Sequence, residues 1–201
     1  MNAIAESELS KHLVITTFQI NSECGNLYLH TEYFIQHIDE KKLARCKVLG
    51  WYDNDKLRRL INESDSIWLA SFWSEWVANF LSESLRNTEE TFGKPVLVFG
   101  SNNFGEINTK ELLSLTPEKR LSHVVKMRDE HIKIQGIMKR TLPANKFVDI
   151  SDMLCESETH CKAFTDRGGL ISYDGGHLTK NGATYLGQFL SKHSSMELFL
   201  K

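Results

Sequence analysis

The chain alternates between short, wholly apolar runs and longer stretches in which apolar residues recur every three or four positions. Ser66–Ala70 (SIWLA) and Pro95–Gly100 (PVLVFG) are runs of the first kind, the pattern of strands covered on both faces. Lys146–Ile150 (KFVDI) reads as another strand, and Leu170–Tyr173, after the Gly168-Gly169 turn, as a further one. His12–Ile20 (HLVITTFQI) is rich in β-branched and aromatic residues and reads as a strand by propensity. Trp73, Trp76, Val77, Phe80, Leu81 and Leu85 share one helical face, which predicts an amphipathic helix over Trp73–Thr88, with Gly93 closing the region. Thr116-Pro117 pairs an N-cap with a proline at the first helical position, so a helix is predicted from there to about Arg140, stopped by Pro143. Shorter helices are predicted over Met1–Lys11 and Asp55–Asn62, and a final one over Leu178–Leu190. Asn21–Leu49 reads as an irregular excursion with a short helix around Thr31–Ile38.

Strands that alternate with helices imply parallel pairing through right-handed crossovers. The expected fold is one α/β domain over residues 1–201. It is a three-layer αβα sandwich around a central parallel sheet of four or five strands, flavodoxin-like in its winding. In open sheets of this class ligands bind at the carboxyl ends of the strands. The segments that begin near Asn21, Ser71, Ser101, Ser151 and Tyr173 are therefore the places to look for chemistry.

Composition narrows the function classes. The 201 residues are 41% hydrophobic, enough for one well-packed core. With a net charge of −2, nothing in the sequence looks like a nucleic-acid binder or a polybasic membrane binder. No apolar run approaches the roughly 20 residues of a membrane span. Met1–Lys11 has neither the basic start nor the apolar stretch of a signal peptide, so taken alone the chain reads as soluble, without an export signal of its own. Four cysteines, Cys24, Cys46, Cys155 and Cys161, are compatible with two disulfides or with four reduced thiols, and the count does not choose between them.

The most informative stretch is Tyr173-Asp174-Gly175-Gly176-His177-Leu178-Thr179-Lys180-Asn181-Gly182-Ala183. An acid and a histidine three residues apart stand at a strand-to-helix junction, with two glycines that permit an unusual backbone path. Thr179 can cap the following helix. An aspartate so placed can hold one ring nitrogen of His177 and leave the other as a general base toward a serine hydroxyl. The bland alternative is that Asp-Gly-Gly is an ordinary turn and His177 a solvated surface residue.

The block Asp-x-x-His-Leu-Thr-x-x-Gly-Ala, near the C-terminus and ahead of a last helix, resembles the final block of SGNH hydrolases. It is most similar to the SGNH domain fused to membrane acyltransferase-3 proteins, which O-acylate bacterial surface glycans. Asp65–Trp73 resembles that family's strand ending in Ala-x-Arg-Trp, with Phe72 in place of the arginine, and Gly93–Gly100 resembles its next strand. Val148-Asp149 followed by Cys155 and Cys161 resembles its segment of two nearby cysteines. The resemblance implies a flavodoxin-like SGNH hydrolase fold, with Asp174 orienting and His177 acting as base. It implies a carbohydrate acyl acceptor, a small acyl donor, a membrane acyltransferase domain as partner, and no cofactor or metal. It also implies a Cys155–Cys161 disulfide, a second, Cys24–Cys46, and a location outside the cytoplasm as part of a larger membrane protein; a chain complete as it stands would instead be cytoplasmic.

The family's serine comes from a Gly-Asp-Ser motif at the first strand-to-helix junction, and no Gly-Asp-Ser occurs in this sequence. The expectation is that the nucleophile lies upstream of Met1, with the first strand missing from this chain, or that the chain is a glycan- or partner-binding remnant without one. Ser7 and Ser10 lie on the opening helix, which does not present a hydroxyl as a strained turn does. Ser71 ends the Trp68 strand at the carboxyl end of the sheet, where lining the site or local packing is the plainer reading. Asn102 and Asn103 follow a strand and could donate to an oxyanion, although solvated loop asparagines are commoner, so no oxyanion donor is assigned. Cys155, His160, Cys161 and His177 are metal-ligand types, but C-x4-H-C matches no standard zinc spacing. Trp68, Trp73 and Trp76 are candidate sugar-stacking rings, with packing in the core as the plainer reading.

Overall fold

The two apolar runs form adjacent parallel strands. In the computed structural model, which describes residues 2–30, 33–48, 51–101 and 104–197, the chain opens with α1 (Asn2–Ala5), then α2 (Glu40–Val48) and α3 (Asp55–Glu63). There follow β1 (Ile67–Ala70), α4 (Glu75–Phe92), β2 (Val96–Phe99), α5 (Thr109–Leu113) and α6 (Pro117–Leu121). The remainder is β3 (Val124–Lys126), α7 (Asp129–Thr141), β4 (Phe147–Val148), α8 (Ile150–Leu154), β5 (His160–Lys162), α9 (Lys180–Leu190) and α10 (Ser194–Glu197). The described residues fall into two compact units. One gathers Ile15–Gly100 with Ile134–Phe147, the other Met1–Val14, Ser101–Lys133 and Val148–Lys201.

The central sheet is parallel and three-stranded, in the order β1-β2-β4. Ile67 lies opposite Val96 and Ala70 opposite Phe99, and on the far side of β2 the Val98 N–H donates to the Lys146 carbonyl at 2.8 Å. Every residue of β2 is buried. Val96 and Val98 pack with Val77, Leu81 and Leu85 of α4 and with Ile134, Ile137 and Met138 of α7. Burying one such aliphatic side chain contributes about 1.5–3 kcal/mol. α4 ends where Gly93 takes a left-handed conformation, φ 63°, and caps the Glu89 carbonyl. Two buried polar residues of α4 hold the excursion before it. Ser84 accepts the Tyr28 N–H at 2.8 Å, and the Asn87 amide donates to the Tyr28 carbonyl at 3.3 Å. Cys24 and Cys46 lie at disulfide distance in this unit. Among the described residues no helix is long and apolar enough to cross a membrane.

Several expectations are corrected. Among the described residues the sheet has three strands rather than four or five. His12–Ile20 is not a strand: Val14 is fully exposed and Ile15 is 40% exposed, so the burial that underlies β propensity is missing. Thr116 and Pro117 do start a helix, but it stops at Leu121. The β-branched pair Val124-Val125 then forms β3, which pairs antiparallel with β5, before α7 begins. Leu170–Tyr173 makes only isolated bridges, Phe164 with Leu170 and Ser172 with Leu178. The excursion Asn21–Leu49 contains α2, and its expected short helix is a 3-10 turn over Tyr33–His37, with Thr31 outside the described residues.

Candidate active site

Asp174 and His177 meet as the sequence pattern anticipates. The ring Nδ1 of His177 is 2.7 Å from Asp174 Oδ2. Asp174 Oδ1 accepts the backbone N–H groups of Gly176 at 2.9 Å and His177 at 2.7 Å. One carboxylate thus fixes both the backbone and the imidazole of the same turn. Desolvation pushes its pKa up, but the two backbone donors and the His177 ring outweigh that and hold Asp174 at about 2. Asp174 therefore stays ionised across the physiological range. The pair is open to solvent, with side-chain exposures of 63% for His177 and 42% for Asp174. The Tyr173 ring stacks on the imidazole at 5.8 Å between centroids, with 12° between planes.

The turn is held from beneath by a residue that sequence reading passed over. Ser172 is 1% exposed. Its hydroxyl accepts the Gly175 N–H at 2.9 Å and donates to the His177 carbonyl at 2.7 Å. A lone hydroxyl among Leu170, Ile171 and the following turn was the available signal, since a buried serine needs partners. Gly175 is required on two grounds. Its φ is +87°, and a Cβ there would lie 1.9 Å from the Gly105 carbonyl oxygen. Its own carbonyl accepts the Phe104 N–H at 2.7 Å, and Thr109 donates to the Tyr173 carbonyl at 2.7 Å. On the other side, Thr179 caps α9 by accepting the Gly182 N–H at 3.1 Å and donates to the Leu170 carbonyl.

The hydroxyls of Ser7 and Ser10 donate to the carbonyls of Ile4 and Ser7 at 2.7 and 2.8 Å, so both are used within their own turns. Ser71 follows β1 in the unit that gathers Ile15–Gly100 with Ile134–Phe147. Asn102 and Asn103 lie outside the described residues. Cys155 and Cys161 are at disulfide distance, and a sulfur so bonded is not a thiolate metal ligand. His160 takes a 2.8 Å contact from the Thr159 hydroxyl. The tryptophans are packing residues: Trp73 is buried and donates to the Phe99 carbonyl at 2.7 Å, Trp68 packs on Phe99, and Trp76 stacks on His37. A second buried constellation, which sequence reading did not single out, gathers residues that follow β2 and β4. His131 of α7 bonds the Ser101 backbone and feels the Asp149 charge, and all three are buried.

The family model for the SGNH domain (fused to AT3 domains) matches residues 23–192. No curated protein and no solved structure matches the chain. The parallel sheet and its flanking helices are those of the SGNH hydrolase fold, a fold of acyl-ester hydrolases and transferases. With a match over most of its length, the chain belongs to the family of SGNH domains fused to AT3 domains.

Proposed function

We propose that the chain carries out acyl-ester chemistry on a carbohydrate, as O-acetyl transfer or ester hydrolysis, with His177 as base and Asp174 as its orienting partner. The observation that carries the reading is the 2.7 Å contact from Asp174 Oδ2 to His177 Nδ1 on a carboxylate that two backbone donors already hold. A serine hydroxyl presented to Nε2 of His177 would attack the acyl carbon and pass its proton to the ring. The ring would return that proton to the leaving alcohol, and the acyl group would rest on the serine. The acceptor hydroxyl of a sugar, or water, would then attack the acyl-enzyme with His177 as base again. The exposure of the pair suits an acceptor as large as a glycan. Two disulfides in a chain of this size support an oxidising, extracytoplasmic setting, reached as part of a larger protein with a membrane acyltransferase domain that relays the acyl donor.

The test is acetate release from an O-acetylated oligosaccharide, and acetyl transfer from an aryl acetate to its de-acetylated form, by the full-length protein and its His177→Ala variant. Turnover that falls by about 10^3-fold or more in the variant is expected. Equal turnover in both would overturn the assignment. Saturable binding of the oligosaccharide with no turnover in either would instead favour a glycan-binding domain that keeps the fold without the reaction.

A further inference from the structure

The turn that carries Asp174 and His177 is packed, backbone against backbone, onto Gly105, and Gly105 onto β3, the partner of the disulfide-tied strand β5. A Cβ on Gly175 would strike the Gly105 carbonyl oxygen at 1.9 Å, and a Cβ on Gly105 would strike the Lys126 carbonyl oxygen at 2.1 Å. Three backbones are thus stacked without side chains between them. Gly105 has φ +82°, so no other residue adopts this path without strain. Lys126 ends β3, where it lies opposite His160, and Val125 lies opposite Cys161. A second route reaches β5 directly. Just past β5, the Ala163 carbonyl accepts the Ile171 N–H at 2.9 Å, and Ile171 directly precedes Ser172, which holds the turn.

Both routes converge on β5, and the Cys155–Cys161 bond ties β5 to the end of α8 across a separation of 6 residues. We propose that Gly105 and the Cys155–Cys161 disulfide are positioning elements for the Asp174–His177 pair, so that opening the disulfide loosens the pair. The proposal rests on the reading of that pair as the acid–base centre. Cys161 is fully buried, but Cys155 is only half-buried, which gives a dithiol one side from which to attack. Its thiolate would form a mixed disulfide, and its second thiol would resolve it. Two electrons and two protons then pass to the protein as two cysteine thiols, and the reductant closes its own disulfide. Productive geometry tolerates displacements well under 1 Å, so loss of order in β5 reaches the pair without unfolding the domain.

The test reads the pair directly and needs no turnover, so its failure is distinct from failure of the proposed reaction. In the full chain, the His177 Nδ1 proton and amide exchange at Gly176 and His177 are followed by NMR. Wild type is compared with the Cys155→Ser/Cys161→Ser double variant, with Gly105→Ala, and with a Cys24→Ser/Cys46→Ser control. The expected result is loss or broadening of the Nδ1 proton signal and roughly tenfold faster exchange in the first two, while the control keeps wild-type values at His177 even where its melting temperature falls. Unchanged His177 signals with Cys155 and Cys161 replaced would overturn the proposal, and that variant decides the matter if Gly105→Ala does not fold.

Discussion

The hydroxyl of Ser172 donates to the carbonyl of His177 at 2.7 Å from a position that is 1% exposed. It takes the Gly175 N–H at the same time, so one buried group closes the turn on which Asp174 and His177 sit. Ser172→Ala leaves a donor and an acceptor unpaired in a dry place, at a cost of about 1–3 kcal/mol. Urea unfolding should show that loss, and esterase activity should fall further than stability alone explains. A variant with wild-type stability would show that the bridge is not made.

Asp174 offers a separable test. With its pKa held at about 2, the folded carboxylate contributes stability that is present above the ordinary value of about 3.9 and is lost as pH falls toward 2. Asp174→Asn should remove that acid-side component from the unfolding curve. It should also lower turnover by about 10^3- to 10^4-fold, because the imidazole loses its orienting anion.

His131 predicts a pH dependence of different origin. Burial holds its imidazole below the usual value, against the opposing charge of Asp149 and the Ser101 backbone. The unfolded chain takes up a proton near pH ~6.5 where the folded one resists it. Stability is therefore full above that range and declines as pH falls through it, levelling off only below the lowered folded value. Urea midpoints at about pH 7.5 and about pH 5.5 should differ more for wild type than for His131→Gln. Equal differences in the two proteins would show that His131 does not carry the effect.

The Cys24–Cys46 bridge closes a segment with a separation of 22 residues, which corresponds to about 3 kcal/mol of lost denatured-state entropy. Cys24→Ser/Cys46→Ser should lower unfolding free energy by that order, read by urea denaturation, and should leave Asp174 and His177 in contact.

What could be read from the sequence follows from how local each cause is. The runs SIWLA and PVLVFG announced β1 and β2 because burial on both faces writes a continuous apolar string. Asp174 and His177 were legible because their partner bond spans three residues of one turn. His12–Ile20 misled because propensity is not pairing, and Val14 and Ile15 reach solvent instead. β3 was hidden within a helical window, since the reason Val124 and Val125 extend is β5, more than 30 residues further along. Gly105 matters through contact with distant backbone and Ser172 through burial beneath its own turn, and neither leaves a periodic trace.

The most direct measurement is fluorophosphonate labelling with peptide mapping, on the 201-residue chain and on the larger membrane protein proposed to contain it, each beside His177→Ala. The account predicts a single labelled serine whose modification is lost or slowed about 10^3-fold without the His177 ring, and the map names that serine. Labelling that is absent from both forms, or indifferent to His177, would contradict the assignment of Asp174 and His177 as an acid–base pair for ester chemistry.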